Sequence, residues 1–286
     1  MSKIFCNFAG ANRIIEKSHD MKNVFTVLSM LLLSAVLTAA PKPLRIVVLG
    51  DDPFMSADAS LGSFGYADLL QPVFDSLVTV EAQTSLTLLP NDPVALLEPA
   101  RKGDMVLLCK RPVPVEADER TLVDIYLEQL VAIQQTAKKK GVQIIWLTPV
   151  CPRYFTAEGV QVRRLGNYPD VIRKMCRRDM LELIDLEKAS FDWLTAAGQE
   201  ASAEWFISPK PAVPAAENKV LREGIALTEQ GAYAVKELIA KAIRDDKKST
   251  LYKRLHIEAE GQPAQAEEPA AAATEPVADE QATVSE

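Results

Sequence analysis

The chain has 286 residues, of which 48% are hydrophobic and 25% charged, and its formal net charge is −7. This composition is typical of a globular protein with one large core. The first 40 residues carry four bases and two acids, and residues 257–286 carry eight acids and no base, so the body between them has a net charge of −1. A body this close to neutrality excludes the basic balance expected of a nucleic-acid-binding protein.

Residues 1–40 have the features of an export signal. Met21 is a plausible second start, and Lys22, the apolar run 24–37 and three small residues follow it. The run of about 14 residues is shorter than the roughly 20 that cross a bilayer, and prolines follow at once. We therefore predict a removable signal peptide, export to the periplasm or beyond, and no stable membrane span after its removal. A signal anchor is the alternative.

Short apolar runs with β-forming residues alternate along the body with helical stretches. The runs predict five strands, at 44–49, 77–81, 105–109, 143–148 and 181–186. Four of them lack polar alternation, as expected for parallel strands covered on both faces. The clearest helix is predicted at 118–140, with Asp118 as its cap and Gly141 as its stop. A last helix is predicted from Thr228 to about residue 244.

This alternation predicts a three-layer α/β/α flavodoxin-like domain, residues 41–250, with a five-stranded parallel sheet. Such a sheet binds ligands beyond the carboxyl ends of its strands. The residues that follow the first, third and fourth predicted strands are therefore the most informative. They include Asp51, Asp52, Arg111 and Arg153.

The segment Ile46–Asp51 resembles the opening block of SGNH/GDSL hydrolases, in which Gly-Asp-Ser carries a nucleophilic serine. Further blocks agree in order with the rhamnogalacturonan acetylesterase branch of that superfamily, at 65–70, 103–106, 147–150, 183–186 and 227–232. The resemblance spans roughly residues 44 to 245. It implies the same α/β/α fold and carboxylic ester hydrolysis as the ancestral activity.

Several functional positions of the family differ in this chain. Asp52 stands in the place of the serine, and the family's Asp-x-x-His maps to Glu223–Ala226, so that Ala226 replaces the histidine. The resemblance also implies an oxyanion glycine after the second strand and an asparagine after the third. No glycine occurs between residues 66 and 102, and no asparagine between 92 and 166. His19 and His256 are the chain's two histidines, so the predicted domain contains no histidine base.

The remaining polar residues allow several interpretations. Asp51, Asp52 and Glu223 could hold a hard cation such as Ca²⁺, or Asp52 could act as a nucleophile with Glu223 as base. The simpler expectation is that Asp51 caps a turn by local hydrogen bonds and that Asp52 and Glu223 are solvated. Arg111 and Arg153 could grip a carboxylate-bearing sugar or lie on a solvated surface. We predict no metal and no cofactor.

Cys109 and Cys151 end strands that are neighbours in this topology. They either form a disulfide in an oxidising compartment or remain two separate buried thiols. Residues 257–286, rich in Ala, Pro and Glu, predict a disordered acidic tail.

The leading functional hypothesis is a catalytically degenerate esterase-like protein, retained as a binding or accessory module for carbohydrate or another envelope component. The alternative is a divergent carbohydrate acetylesterase with a rebuilt site. A third hypothesis makes the acidic tail the functional element of an interaction protein. Asp51, Asp52, Arg111, Arg153 and Glu223 are the predicted binding residues.

Overall fold

The computed structural model describes residues 42–112, 118–207, 224 and 226–256. The predicted signal peptide, the predicted acidic tail and Glu223 lie outside these ranges. Within them, five parallel strands form one sheet in the order β2-β1-β3-β4-β5. The strands are β1 Leu44–Gly50, β2 Val78–Thr84, β3 Met105–Cys109, β4 Gln143–Leu147 and β5 Leu183–Ile184. The predicted flavodoxin-like strand order is thereby confirmed.

Helices cover both faces of the sheet. The described α-helices are α1 Pro93–Leu96, α2 Glu119–Lys140, α3 Tyr168–Asp179, α4 Leu186–Ala201 and α5 Glu229–Asp245. Val47, Leu108 and Trp146 face α2 and α3 in one apolar core, whereas Val48 and Leu107 belong to the other core, with side chains of α4 and α5. The alternation within each strand therefore builds two cores, and the domain has three layers.

The ends of the two longest predicted helices follow capping chemistry. The Asp118 carboxylate accepts the Thr121 backbone N–H at 3.0 Å, and Gly141 ends α2 in the left-handed region with φ of 74°. Thr228 caps α5 by accepting the Gly231 N–H at 3.2 Å. Both predicted helices are confirmed to within a residue or two.

Two strands differ from their predicted bounds by more than one residue. β5 is only Leu183–Ile184, because Asp185 caps α4 by accepting the Lys188 N–H and turns the chain into a helix. β2 extends to Thr84, because Gln83 and Thr84 pair in register with Leu49 and Gly50. An edge strand tolerates such polar residues, which the hydrophobic pattern alone does not mark.

The packed fold continues past α5 to His256. Leu251 and Leu255 are buried in the core with α5, and the His256 N–H donates to the Val73 carbonyl at 2.9 Å. Among the residues described, no helix is both long enough and apolar enough to cross a membrane.

The segment from Phe54 to Tyr66 folds tightly over the end of β1. A Cβ at Gly65 would lie 2.2 Å from the Met55 carbonyl oxygen, so two backbones touch there. We expect Gly65→Ala to lower the free energy of unfolding by about 3 kcal/mol, because the backbone must move apart. Gly62→Ala is the matched control, because its Cβ meets nothing within 4 Å and only its φ of 65° is strained. Its expected loss is about 1 kcal/mol. Equal losses in urea unfolding would contradict the assigned contact.

Candidate functional site

Polar side chains gather at the carboxyl ends of β1, β3 and β4. Asp51 and Asp52 follow β1, Lys110 and Arg111 follow β3, and the segment 148–153 follows β4. These strands are neighbours in the sheet, so their ends meet at one edge. We call this edge the crevice edge, and it is where parallel α/β folds bind ligands.

Asp51 forms a buried ion pair with Lys110. The Lys110 Nζ lies 2.9 Å from Asp51 Oδ2, and the side chains are 1% and 0% exposed. Asp51 also accepts the backbone N–H groups of Arg111 at 2.6 Å and of Leu89 at 2.9 Å. The expectation that Asp51 caps a turn by local bonds is therefore wrong, because its partners come from distant segments that fold against β1.

Lys110 is a residue of this cluster that was not among the predicted binding residues. Its Nζ also donates to the Arg111 carbonyl at 3.1 Å, and its own carbonyl accepts the Tyr126 hydroxyl at 2.5 Å. The strand register pairs Gly50 with Cys109, so Asp51 and Lys110 are the next residues on adjacent strands. A buried lysine needs such a partner, and the register of β1 and β3 provides it.

Asp52 is 2% exposed and is held by backbone donors on both carboxylate oxygens. Phe54 N–H donates to Oδ1 at 3.3 Å, and Val150 N–H donates to Oδ2 at 3.0 Å. Burial raises the pKa of Asp52 from an ordinary 3.8 to about 6, although the two N–H donors and the Arg111 charge lower it. The expectation of a solvated Asp52 is wrong, because the loop after β4 covers it.

The groups around Asp52 are weak acids that stay protonated. Burial raises the pKa of the Tyr66 phenol and of the Cys109 thiol, and the charge of Asp52 raises both further. Within the described ranges, the Tyr66 hydroxyl and the Ser56 hydroxyl are buried without a hydrogen-bond partner. A thiol with a raised pKa is a poor nucleophile, so Cys109 does not supply one.

Arg111 lies beside the two aspartates, whereas Arg153 points away from them. Arg111 Nε lies 3.8 Å from Asp51 Oδ1, and this side chain is 30% exposed. Arg153 Nε donates to the Ser202 hydroxyl at 3.0 Å, and its guanidinium stacks on Phe155. The side chains of Asp51, Asp52 and Arg111 are thus brought together, and that of Arg153 contacts the end of α4.

The loop after β4 also contacts the segment that carries the family's Asp-x-x-His position. A Cβ at Gly224 would lie 2.7 Å from the Arg153 carbonyl oxygen, and Gly224 has a φ of 61°. Ala226 is 3% exposed, and its carbonyl accepts the Ile207 N–H at 3.1 Å. Glu223 precedes Gly224 but lies outside the described residues.

Arginines and aromatic rings line the outer part of the crevice edge. Arg164 lies 4.4 Å from the ring centre of Tyr154, which is 40% exposed, and Arg163 lies 4.1 Å from that of Phe191. Arg163 is also paired with Glu187. Trp193 and Trp205 stack at 4.1 Å and pack against the core, as expected for most large aromatics.

The described residues contain neither a disulfide nor a cluster of metal-ligating side chains. Cys109, Cys151 and Cys176 are buried free thiols, so of the two alternatives for Cys109 and Cys151 the structure has the separate thiols. Over the described ranges, no three His, Cys, Asp or Glu side chains cluster as metal ligands would.

Comparison with known proteins finds a distantly similar acetylesterase and a solved structure of similar fold. No family model matches the chain. The rhamnogalacturonan acetylesterase RhgT of Bacillus subtilis is 27% identical over 116 residues, which are 41% of this chain and 50% of RhgT. The solved structure of the Bacillus subtilis protein YXIM superposes with a TM-score of 0.53 at 18% identity, over 72% of this chain and 57% of its own. A catalytic mutant of an acetylxylan esterase from Geobacillus stearothermophilus gives a TM-score of 0.42 at 14% identity, over 72% and 94%.

The superposition on YXIM supports the α/β fold of this chain. The chain spans half the length of the curated relative and 57% of the length of YXIM.

The Asp51–Lys110 pair yields the first prediction for the site. Asp51→Asn should lower the free energy of unfolding by about 3–5 kcal/mol, because it leaves the Lys110 charge buried without its partner. The double variant Asp51→Asn/Lys110→Met should recover part of this loss, because it removes the uncompensated charge. Urea unfolding of both variants measures the difference. A double variant no more stable than Asp51→Asn would contradict a buried charge pair.

Asp52 yields a prediction about pH. The folded protein holds this proton more tightly than the unfolded chain does, so the stability due to Asp52 is fully present below about pH 4 and lost as the pH rises to about 6. Relative to that of Asp52→Asn, the free energy of unfolding of the parent should fall by at most about 1.4 kcal/mol per pH unit across this window. Urea unfolding across the window measures the slope.

Asp68→Asn removes an exposed carboxylate and is the matched control. Its free energy of unfolding should change with pH as that of the parent does. A parent that instead gains stability relative to Asp52→Asn as the pH rises would show a lowered pKa and contradict this account.

Proposed function

We propose that this protein is an exported, catalytically degenerate relative of the SGNH/GDSL esterases that works as a binding module for carbohydrate. The observation that carries the proposal is the state of Asp52, which stands where the resemblance implies the nucleophilic serine. Its side chain is 2% exposed, and both carboxylate oxygens accept backbone N–H groups. A group held in this way fixes the loop after β4 and is not presented to a substrate.

This chain also lacks the residues that usually supply acid–base chemistry in the family. A serine-type esterase needs a base near its nucleophile, usually an imidazole, and donors for the oxyanion. The chain's two histidines are His19 and His256, and Ala226, at the position that the resemblance gives to histidine, is buried. Losing one oxyanion donor alone costs a factor of about 10²–10³ in rate, and losing nucleophile and base removes most of the rest.

The crevice edge retains features suited to binding. Arg111 is partly exposed beside the aspartates, and the exposed ring of Tyr154 carries Arg164 against one face. Aromatic faces and guanidinium groups are suited to sugar rings and their carboxylates. The names of the relatives include acetylesterases of rhamnogalacturonan and xylan, which are both polysaccharides. Carbohydrate is therefore the ligand class that we propose.

A divergent acetylesterase is the second candidate, and one observation favours it. Burial raises the pKa of Asp52 to about 6, and a carboxyl with a pKa near neutrality is suited to proton transfer. In that case Asp52 would act with Glu223 in a rebuilt site. The two candidates make opposite predictions for hydrolysis.

Hydrolysis of p-nitrophenyl acetate and of acetylated pectin by the purified protein tests the proposal. We expect rates no higher than those of buffer, and the same rates for the double variant Asp52→Ala/Glu223→Ala. Asp52→Asn, which keeps the shape of the side chain, is the control for folding, and circular dichroism verifies each variant. Hydrolysis that is lost in the folded Asp52→Asn and double variants would overturn the proposal in favour of the acetylesterase.

A further inference from the structure

β2 is the outermost strand on its side of the sheet, and within the described ranges only β1 pairs with it. The register matches each residue from Val78 to Thr84 with one residue of β1, so the strand contains no bulge. It also contains no lysine and no proline. Bulges, lysines and prolines commonly keep an edge strand from pairing with another chain, and β2 has none of them.

The hydrogen bonds of the sheet decide which backbone groups of β2 face away from β1. The Leu44 N–H donates to the Leu77 carbonyl at 2.9 Å, and the Ser85 N–H donates to the Gly50 carbonyl at 2.9 Å. Because the direction of hydrogen bonding alternates along a strand, the odd-numbered residues from 77 to 85 bond to β1. The N–H and C=O groups of the even-numbered residues, 78 to 84, therefore point away from the sheet.

The Gln71 side chain covers the first part of this outer side of β2. Its Nε2 donates to the Val78 carbonyl at 3.0 Å, and its Oε1 accepts the Val80 N–H at 2.8 Å. The amide thus occupies the place that a neighbouring strand would take. Beyond Thr84 the chain turns, and Ser85 Oγ accepts the Thr87 N–H at 3.1 Å. Pairing with another strand is therefore limited to the stretch between these two points.

Ala82 and Thr84 are the residues of this stretch whose N–H and C=O groups both point outward. Within the described ranges, the hydrogen bonds near them reach Val78, Val80 and the turn after β2, and they leave these four groups free. Ala82 is exposed. A row of unpaired N–H and C=O groups on an exposed strand is a template for pairing with another chain.

We propose that a second copy of this chain pairs with β2 in antiparallel orientation about a two-fold axis, with Ala82 of each copy opposite Thr84 of the other. Residues that face each other in this way exchange both of their N–H···O bonds. All four free groups of each copy are then bonded, and the Gln71 contacts with Val78 and Val80 are kept. The same surface is used on both copies, as in other two-fold dimers.

The side chains of β2 are compatible with this pairing. Gln83 lies beside the axis, so its Cα atoms in the two copies are about 4.5 Å apart, and its side chain is uncharged. Glu81 is the one charged residue of the strand, and both of its carboxylate oxygens accept hydrogen bonds from Arg45 of β1, at 2.7 and 2.5 Å. Like charges directly opposite each other destabilise a strand pair, and this register contains no such pair.

A second copy fits this stretch better than an unrelated extended peptide does. Gln71 closes one end and the turn at Ser85 closes the other, so a long peptide finds only two residues with both groups free. A copy of this chain has an equally short stretch with the same groups in the same spacing. Donors and acceptors are therefore matched in number and in position, which an arbitrary peptide does not provide.

Sedimentation velocity of the full chain over a range of concentrations tests the proposal. The sedimentation coefficient of the parent should rise with concentration towards that of a dimer. Gln83→Lys should weaken dimerisation by about fivefold or more, because it places two like charges opposite each other. Gln83→Glu should weaken it in the same way. An equimolar mixture of these two variants should dimerise again, since opposite charges then face each other.

Thr79→Lys is the matched control, because it adds the same charge at an exposed position of the same strand, away from the axis. It should dimerise like the parent. Ala82→Pro removes one outward N–H and keeps the bonds to β1, so it should fold and remain monomeric, because an edge strand tolerates proline where the N–H faces outward. Circular dichroism verifies the folding of each variant.

Three results would refute the proposed dimer. These are a parent that stays monomeric at every concentration, a dimer that Gln83→Lys and Ala82→Pro leave unchanged, and a mixture of the two charged variants that does not associate. Hydrolysis and carbohydrate binding are measured separately, so a failure here leaves the proposed function untouched.

Discussion

The domain depends on a buried polar cluster that closes the ends of three parallel strands. Asp51 reaches Lys110 beyond β3, and Asp52 reaches the Val150 N–H beyond β4. Two adjacent residues just after β1 thus bind the connections that follow β3 and β4. Buried charges are tolerated only when paired and hydrogen-bonded, and here each carboxylate oxygen has a donor. The loops that would form a ligand site are therefore fixed by the same contacts that hold the core closed.

The two edges of the sheet differ in where their charged groups lie. At the crevice edge, the charges of Asp51 and Asp52 are internal, because both carboxylates are bound by backbone donors and Asp51 is paired with Lys110. At the opposite edge, charge is external, because helices of a parallel α/β fold end there and bring bases with them. The chain as a whole is acidic, yet exposed bases stand at the carboxyl ends of α2 and α3. The net charge of the chain therefore does not predict where its charged groups lie.

Much of the fold could be predicted from the sequence, because hydrophobic runs and capping residues act locally. Met105–Cys109 and the helix after Asp118 are examples. The site was harder to predict, because Asp51 and Asp52 bind partners that lie 38 to 98 residues away. Local rules suggested a capped turn and a solvated carboxylate. Lys110 could have been found from strand register, whereas the loop that covers Asp52 depends on tertiary packing that no local pattern encodes.

The two hydrogen bonds that Asp52 accepts also restrict how this position can evolve. Under the proposed function, an ancestral serine gave way to a carboxylate whose second oxygen now holds the loop after β4. A hydroxyl has one oxygen where a carboxylate has two, so a return to serine would release that loop without rebuilding the missing base. The protein is in this sense held on its present evolutionary path by its own packing.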